Sequence, residues 1–250
     1  MPDVFSPVGL AVALLLPWAT GALLVRRLLA RSGAWNHGIV LGHGFLLGMV
    51  VTSQLLWLTG TVFSVLSPWP VALALGGLAI ACGWSIWRSP TESKPAARVG
   101  SGREMLLAAV LVALVLAHLW QMAGEVVLRP LYPWDAWMNW APKAVVWWHH
   151  RELVDFVNPE AWLSAGEDAG VYALGNWRAS EYPEGLPLIW TWVMLCARTG
   201  GHPLLQLPWL LLLLALALAL YGHLRLAALP VWVACLGAYL LVSMPYVGVH

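Results

Sequence analysis

MLLAAVLVALVLAHLWQMAGEVVL, Met105–Leu128, runs directly into RPLYPWDAWMNWAPK, Arg129–Lys143. The first stretch is apolar and long enough to cross a bilayer, which takes about 20 such residues for ~30 Å of hydrocarbon. The second opens the longest polar region of the chain. There Asp135 sits between Trp134 and Trp137, with Asn139 and Lys143 following at steps of four. A carboxylate among indoles at the mouth of an apolar segment is desolvated, and such a group calls for partners or a use.

Composition extends this reading outward. Of the 250 residues, 60% are hydrophobic and 10% charged, and the mean hydropathy is +0.74. A soluble domain carries roughly 25% charged residues. The sequence therefore predicts an all-α, polytopic transmembrane helix bundle forming one membrane domain over 1–250. A net charge of +1 gives no electrostatic case for nucleic acid. Cys82, Cys196 and Cys235 lie in apolar segments without CxxC spacing, so they read as small buried hydrophobes.

Three apolar runs precede Met105: Pro7–Leu24, His37–Leu58 and Val62–Trp87, which together occupy an N-terminal part over 1–87. Arg26, Arg27 and Arg31 follow the first run rather than precede it, the reverse of a signal peptide. A polar linker over 88–104 carries Arg88, Lys94, Arg98 and Arg103. These two basic clusters stand two spans apart and fall on one face, the cytoplasmic one by the positive-inside rule. The N-terminus and the loop over 129–185 are then expected outside.

That loop holds Asp135, Glu152, Asp155, Glu160, Glu167, Asp168, Glu181 and Glu184 against Arg129, Lys143, Arg151 and Arg178. Its mixed wet and apolar segments predict surface helices over Pro133–Arg151 and Pro159–Ala165, then an irregular stretch over Gly166–Pro183. Leu186–Ala197 is apolar but short, and reads as interfacial or re-entrant. Leu204–Leu220 and Pro230–Val247 follow as spans. Counting basic residues does not choose between six spans and seven, because either topology leaves the same number inside.

Each candidate for chemistry has a plainer role beside it. Asp135 could deprotonate an acceptor hydroxyl or hold a cation, or it could cap the helix that follows. Lys143 could meet a lipid phosphate, or it could snorkel to the interface, and Arg129 and Arg151 carry the same two readings. Adjacent His149 and His150 point to different helix faces and make a poor metal pair. His43 and His118 lie inside spans, where a histidine usually bonds a neighbouring helix. Glu125 closes the fourth span and can face a water-filled cavity. Glu181-Tyr182-Pro183-Glu184-Gly185-Leu186-Pro187 forms a turn whose acids and tyrosine could line a cavity with Asp135, or it merely ends the loop.

A span, then WDAWxxWxxKA, then a long loop ending in YPxxxP: this order resembles the GT-C class of membrane glycosyltransferases. More narrowly it is similar to the bacterial branch related to protein O-mannosyltransferases and lipid A aminoarabinose transferases. Trp134, Asp135, Ala136, Trp137, Trp140, Lys143, Ala144, Tyr182, Pro183 and Pro187 carry the likeness, which covers 105–250. The resemblance implies transfer of a sugar, of the inverting type, from a polyprenyl-phosphate carrier to an envelope acceptor. Transfer would occur on the outer face of the bacterial cytoplasmic membrane. It implies Asp135 as the catalytic acidic residue, acting as base or cation ligand, and it favours a re-entrant Leu186–Ala197. The residues around it, Lys143, Trp134, Trp137, Asn139, Tyr182 and Glu181, are then the expected substrate-binding set. A divalent cation stays an open cofactor, and lipid is the expected surrounding partner. The class carries a further acidic loop beyond the point matching Val249-His250, so an N-terminal fragment or truncated member is expected. The rival expectation is a non-catalytic integral membrane protein, such as a scaffold or transporter component.

Overall fold

A computed structural model describes residues 4–88, 100–128, 136–166, 170–176 and 178–244. Most of these residues are helical. In order come α1 (Pro7–Leu29), α2 (His37–Phe63), α3 (Pro68–Arg88), α4 (Gly102–Leu128), α5 (Ala141–His150), α6 (Pro159–Ser164), α7 (Gly185–Ala197), α8 (Leu207–Leu226) and α9 (Val231–Val242). Among the described residues five helices are long and apolar enough to cross a membrane: α1, α2, α3, α4, and α8 with the 3-10 turn Pro203–Gln206 before it. The last expected span, Pro230–Val247, is a helix of 12 residues here, and residues from 245 onward lie outside those described.

Local signals fix the boundaries. Arg26 and Arg27 extend the first helix past Leu24, because cations near a C-terminus complement its dipole. The break between the second and third helices falls at Ser64–Ser67 rather than Thr59–Thr61, with Pro68 and Pro70 in the first turn of α3, where a missing N–H costs nothing. The α4 helix starts at Gly102 because Glu104 reaches back to accept from the Ser101 amide at 2.7 Å, one half of a capping box.

Contacts divide the chain into two compact units. The first comprises Met1–Leu14, Val50–Ala74 and Arg129–Leu205. Here α7 buries nine of its 13 residues, and it packs on α5 and on the start of α1. The Ser6 amide donates to the Ala197 carbonyl at 2.8 Å, and the Phe5 and His202 rings stack at 3.8 Å. The Trp192 indole donates to the Ala13 carbonyl at 2.9 Å. In an unbroken α-helix that carbonyl would accept from residue 17, but Pro17 has no N–H to give. The loop also holds a two-residue parallel ladder, Phe156–Val157 on Tyr172–Ala173, that the sequence reading placed partly in an irregular stretch.

The second unit comprises Leu15–Met49, Leu75–Leu128 and Gln206–His250. Within it α2 and α8 run antiparallel at backbone contact. The Asn36 side chain donates to the Gly222 carbonyl at 2.8 Å and caps α2 by accepting from the Ile39 amide at 3.0 Å. A Cβ built at Gly42 would strike the Ala219 amide and the Ala215 carbonyl, so the close approach requires glycine there. The Nε2 atoms of His43 and His223 lie 2.8 Å apart, which is the interhelical bonding anticipated for an intramembrane histidine. Leu213, Ala217, Ala238 and Val242 form the seam of α8 with α9, covered by Val115, Leu119 and Met122 of α4.

Candidate functional site

The site is built from the two stretches that the sequence singled out, and both lie in the first unit. Trp134 and Asp135 are outside the described residues. From Ala136 the chain forms a π-turn, Ala136–Trp140, that continues as α5. Pro142 gives the reason: it offers no N–H to the Met138 carbonyl and its ring crowds that oxygen, so the turn widens. The expected helix over Pro133–Arg151 is thus present from Ala136 to His150, with a changed register at its start. Arg151 then closes it in the left-handed conformation at φ 62°, its amide donating to Trp147.

The widened turn sorts the side chains. Trp137 is 46% exposed, while Asn139 is fully buried. Lys143, read from the sequence as a contact for a donor phosphate, is 1% exposed. Its Nζ donates to the Ser180 carbonyl at 3.1 Å and to the Tyr182 carbonyl at 3.4 Å. It also sits 5.7 Å from the centre of the Phe156 ring. Burial drives its pKa below the ordinary lysine value, and the Glu184 carboxylate opposes that shift. No carboxylate forms an ion pair with it among the described residues. Two of its three N–H donors are thereby engaged, and with the residue 1% exposed a phosphate could reach the third only after the cluster opens.

The partner is the end of the loop. A single 3-10 turn, Ala179–Glu181, leads into Tyr182 and the start of α7. The Tyr182 ring lies 5.3 Å from that of Trp140, and its hydroxyl accepts from the Asn176 side chain at 3.3 Å. Glu181 and Glu184 are exposed on either side of it. So Lys143, Tyr182 and Trp140 form one cluster, with Glu181 exposed on the turn beside it. Ser180, Asn176 and Phe156 complete it, and sequence reasoning missed all three. Asn176 and Phe156 carried only a weak signal, since Asn176 lies in a loop and Phe156 in a two-residue strand, and the partners of both are set by folding.

Of the other candidates, His150 reaches this cluster only through Tyr172, the ladder partner of Phe156. His150 is bonded to the Tyr172 hydroxyl at 2.6 Å, and His149 packs against His150. Arg151 stacks over Trp148 at 5.3 Å. Among the described residues no group of three His, Cys, Asp or Glu is placed to hold a metal ion.

The class this fold defines is a mostly helical chain with five helices apt to cross a membrane, carrying a folded loop between the fourth and the fifth. No family model, no curated protein and no solved structure matches the chain.

Proposed function

We propose that this protein belongs to a membrane-embedded glycosyltransferase system of the bacterial cytoplasmic membrane. It would transfer a sugar from a polyprenyl-phosphate carrier to an envelope acceptor on the outer face. The supporting observation is the meeting of Trp140 and Lys143 with Ser180 and Tyr182, across at least 37 residues of chain. Two stretches chosen for their chemistry in the sequence share one cluster, which end-of-loop punctuation alone would not require. In this reading Asp135 deprotonates the acceptor or holds a cation. Glu181, exposed beside Tyr182, is the second carboxylate of this reading.

The test is Asp135→Asn in membranes supplied with polyprenyl-phosphate sugar. Asn caps a helix nearly as well as Asp, so folding should hold. Loss of the base or cation ligand should slow transfer by about 100-fold or more. Wild-type transfer by the variant would sink the assignment.

Burial of Lys143 and Asn139 favours a second reading, in which the cluster is purely architectural and the chain is a non-catalytic membrane component. It predicts unchanged transfer in Asp135→Asn and lost stability in Lys143→Met.

A further inference from the structure

At its C-terminal end α3 presents an open apolar trough whose lining is Ile80, Gly83, Trp84 and Trp87. These positions share one helical face, by their spacing of three and four. Ile80 is 74% exposed and Trp87 72%, so nothing among the described residues covers them. Gly83 forms the floor: a Cβ there would meet no atom within 4 Å. Trp84 and Trp87 form a wall, their rings 5.1 Å apart and tilted by 44°. At the mouth of the trough the Arg88 guanidinium lies 4.7 Å over the Trp84 ring.

We propose that this trough seats one anionic phospholipid, with an acyl chain along Ile80 and Gly83 and the phosphate on Arg88. An apolar slot alone would not choose an occupant. The charge does: Arg88 sits where the apolar helix ends, and stacking on Trp84 holds its guanidinium in place before any ligand arrives. Arg offers a planar fork of donors that suits a phosphate. In sequence, the polar linker beginning at Arg88 carries Lys94, Arg98 and Arg103 against the single acid Glu92, a basic balance of the kind that draws anionic lipid. Indoles at such a boundary keep one edge apolar and the N–H wet. The inference rests on α3 crossing a bilayer and not on sugar transfer.

Native mass spectrometry of the full chain in detergent, titrated with phosphatidylglycerol or phosphatidylcholine, tests it. Wild type should retain one phosphatidylglycerol under activation that strips phosphatidylcholine. Arg88→Gln should weaken phosphatidylglycerol binding about fivefold, the worth of one cation at an anionic surface. Gly83→Leu keeps every charge and fills the floor, and it should also lose the retained lipid. Equal retention of both lipids by wild type overturns the proposal. So does loss in Arg88→Gln with full retention in Gly83→Leu, which means diffuse attraction without a seat. The open space around Gly83 makes the leucine variant foldable, and a wild-type thermal midpoint verifies that.

Discussion

At the residue scale, Lys143 shows how a buried charge can be held without an ion pair, the Glu184 carboxylate acting only at a distance. Its ammonium has two carbonyls and an aromatic face, and each offsets part of the desolvation cost. The folded-state pKa lies below the ordinary 10.5. Between those two values the unfolded chain binds more protons than the folded one, so stability rises with pH through that window. Below it the cost of burying the charge is constant. Thermal unfolding in detergent should therefore show a midpoint that climbs as the pH rises toward 10.5 from below, relative to Lys143→Met. Parallel pH profiles for the two proteins would show that the ammonium is solvated instead. At neutral pH Lys143→Met should cost about 1 kcal/mol, because it leaves the half-buried Ser180 and Tyr182 carbonyls without their ammonium donor. Tryptophan emission from the Trp140–Tyr182 contact should shift with it.

At the scale of elements, the seam of α2 on α8 depends on small residues. Gly42→Val would drive side-chain atoms into the Ala215 carbonyl and Ala219 amide, and should destabilise the fold by about 1–3 kcal/mol or more. Gly77→Ala in α3 meets nothing within 4 Å and should be neutral or stabilising by about 0.5–1 kcal/mol. Equal midpoints for the two variants would contradict the seam. This contrast marks where the sequence was readable. Five long helices followed from length and hydropathy, since both are properties of the chain itself. Ser101 and Glu104 spell a capping box that was open to reading and passed over. The pairing of Gly42 with Ala219 was not open to reading, because glycine in an apolar run has no signature that names its neighbour. The ladder of Phe156 with Tyr172 is two residues long, too short for alternation to appear. In the candidate cluster, Lys143 and Tyr182 stood out by composition, while their contact depends on tertiary folding.

At the scale of the whole molecule, two contacts bear on the path of the chain. Ser6 bonds to Ala197, so the end of α7 lies beside the start of α1. Asn36 bonds to Gly222, so the end of α8 lies beside the start of α2, just beyond the Arg26–Arg31 cluster. Basic-residue counting left Arg198 and Arg225 undecided. These contacts favour Arg198 on the side of the N-terminus and Arg225 with the basic cluster. In a background lacking Cys82, Cys196 and Cys235, single cysteines at Glu160 and Arg198 should react with an impermeant thiol reagent in intact cells. A cysteine at Ala227 should react only after lysis. Protection of Arg198→Cys with labelling of Ala227→Cys would show that α7 crosses instead. The indole bond from Trp192 to Ala13 adds a matter of timing. Its two ends are 179 residues apart. At a synthesis rate of about 5–20 residues per second, α1 waits roughly 10 to 35 s for its donor to emerge. Throughout that interval the first helix carries an open backbone acceptor that Pro17 has left behind, so its final seating cannot precede the arrival of Trp192. In Trp192→Phe that wait never ends.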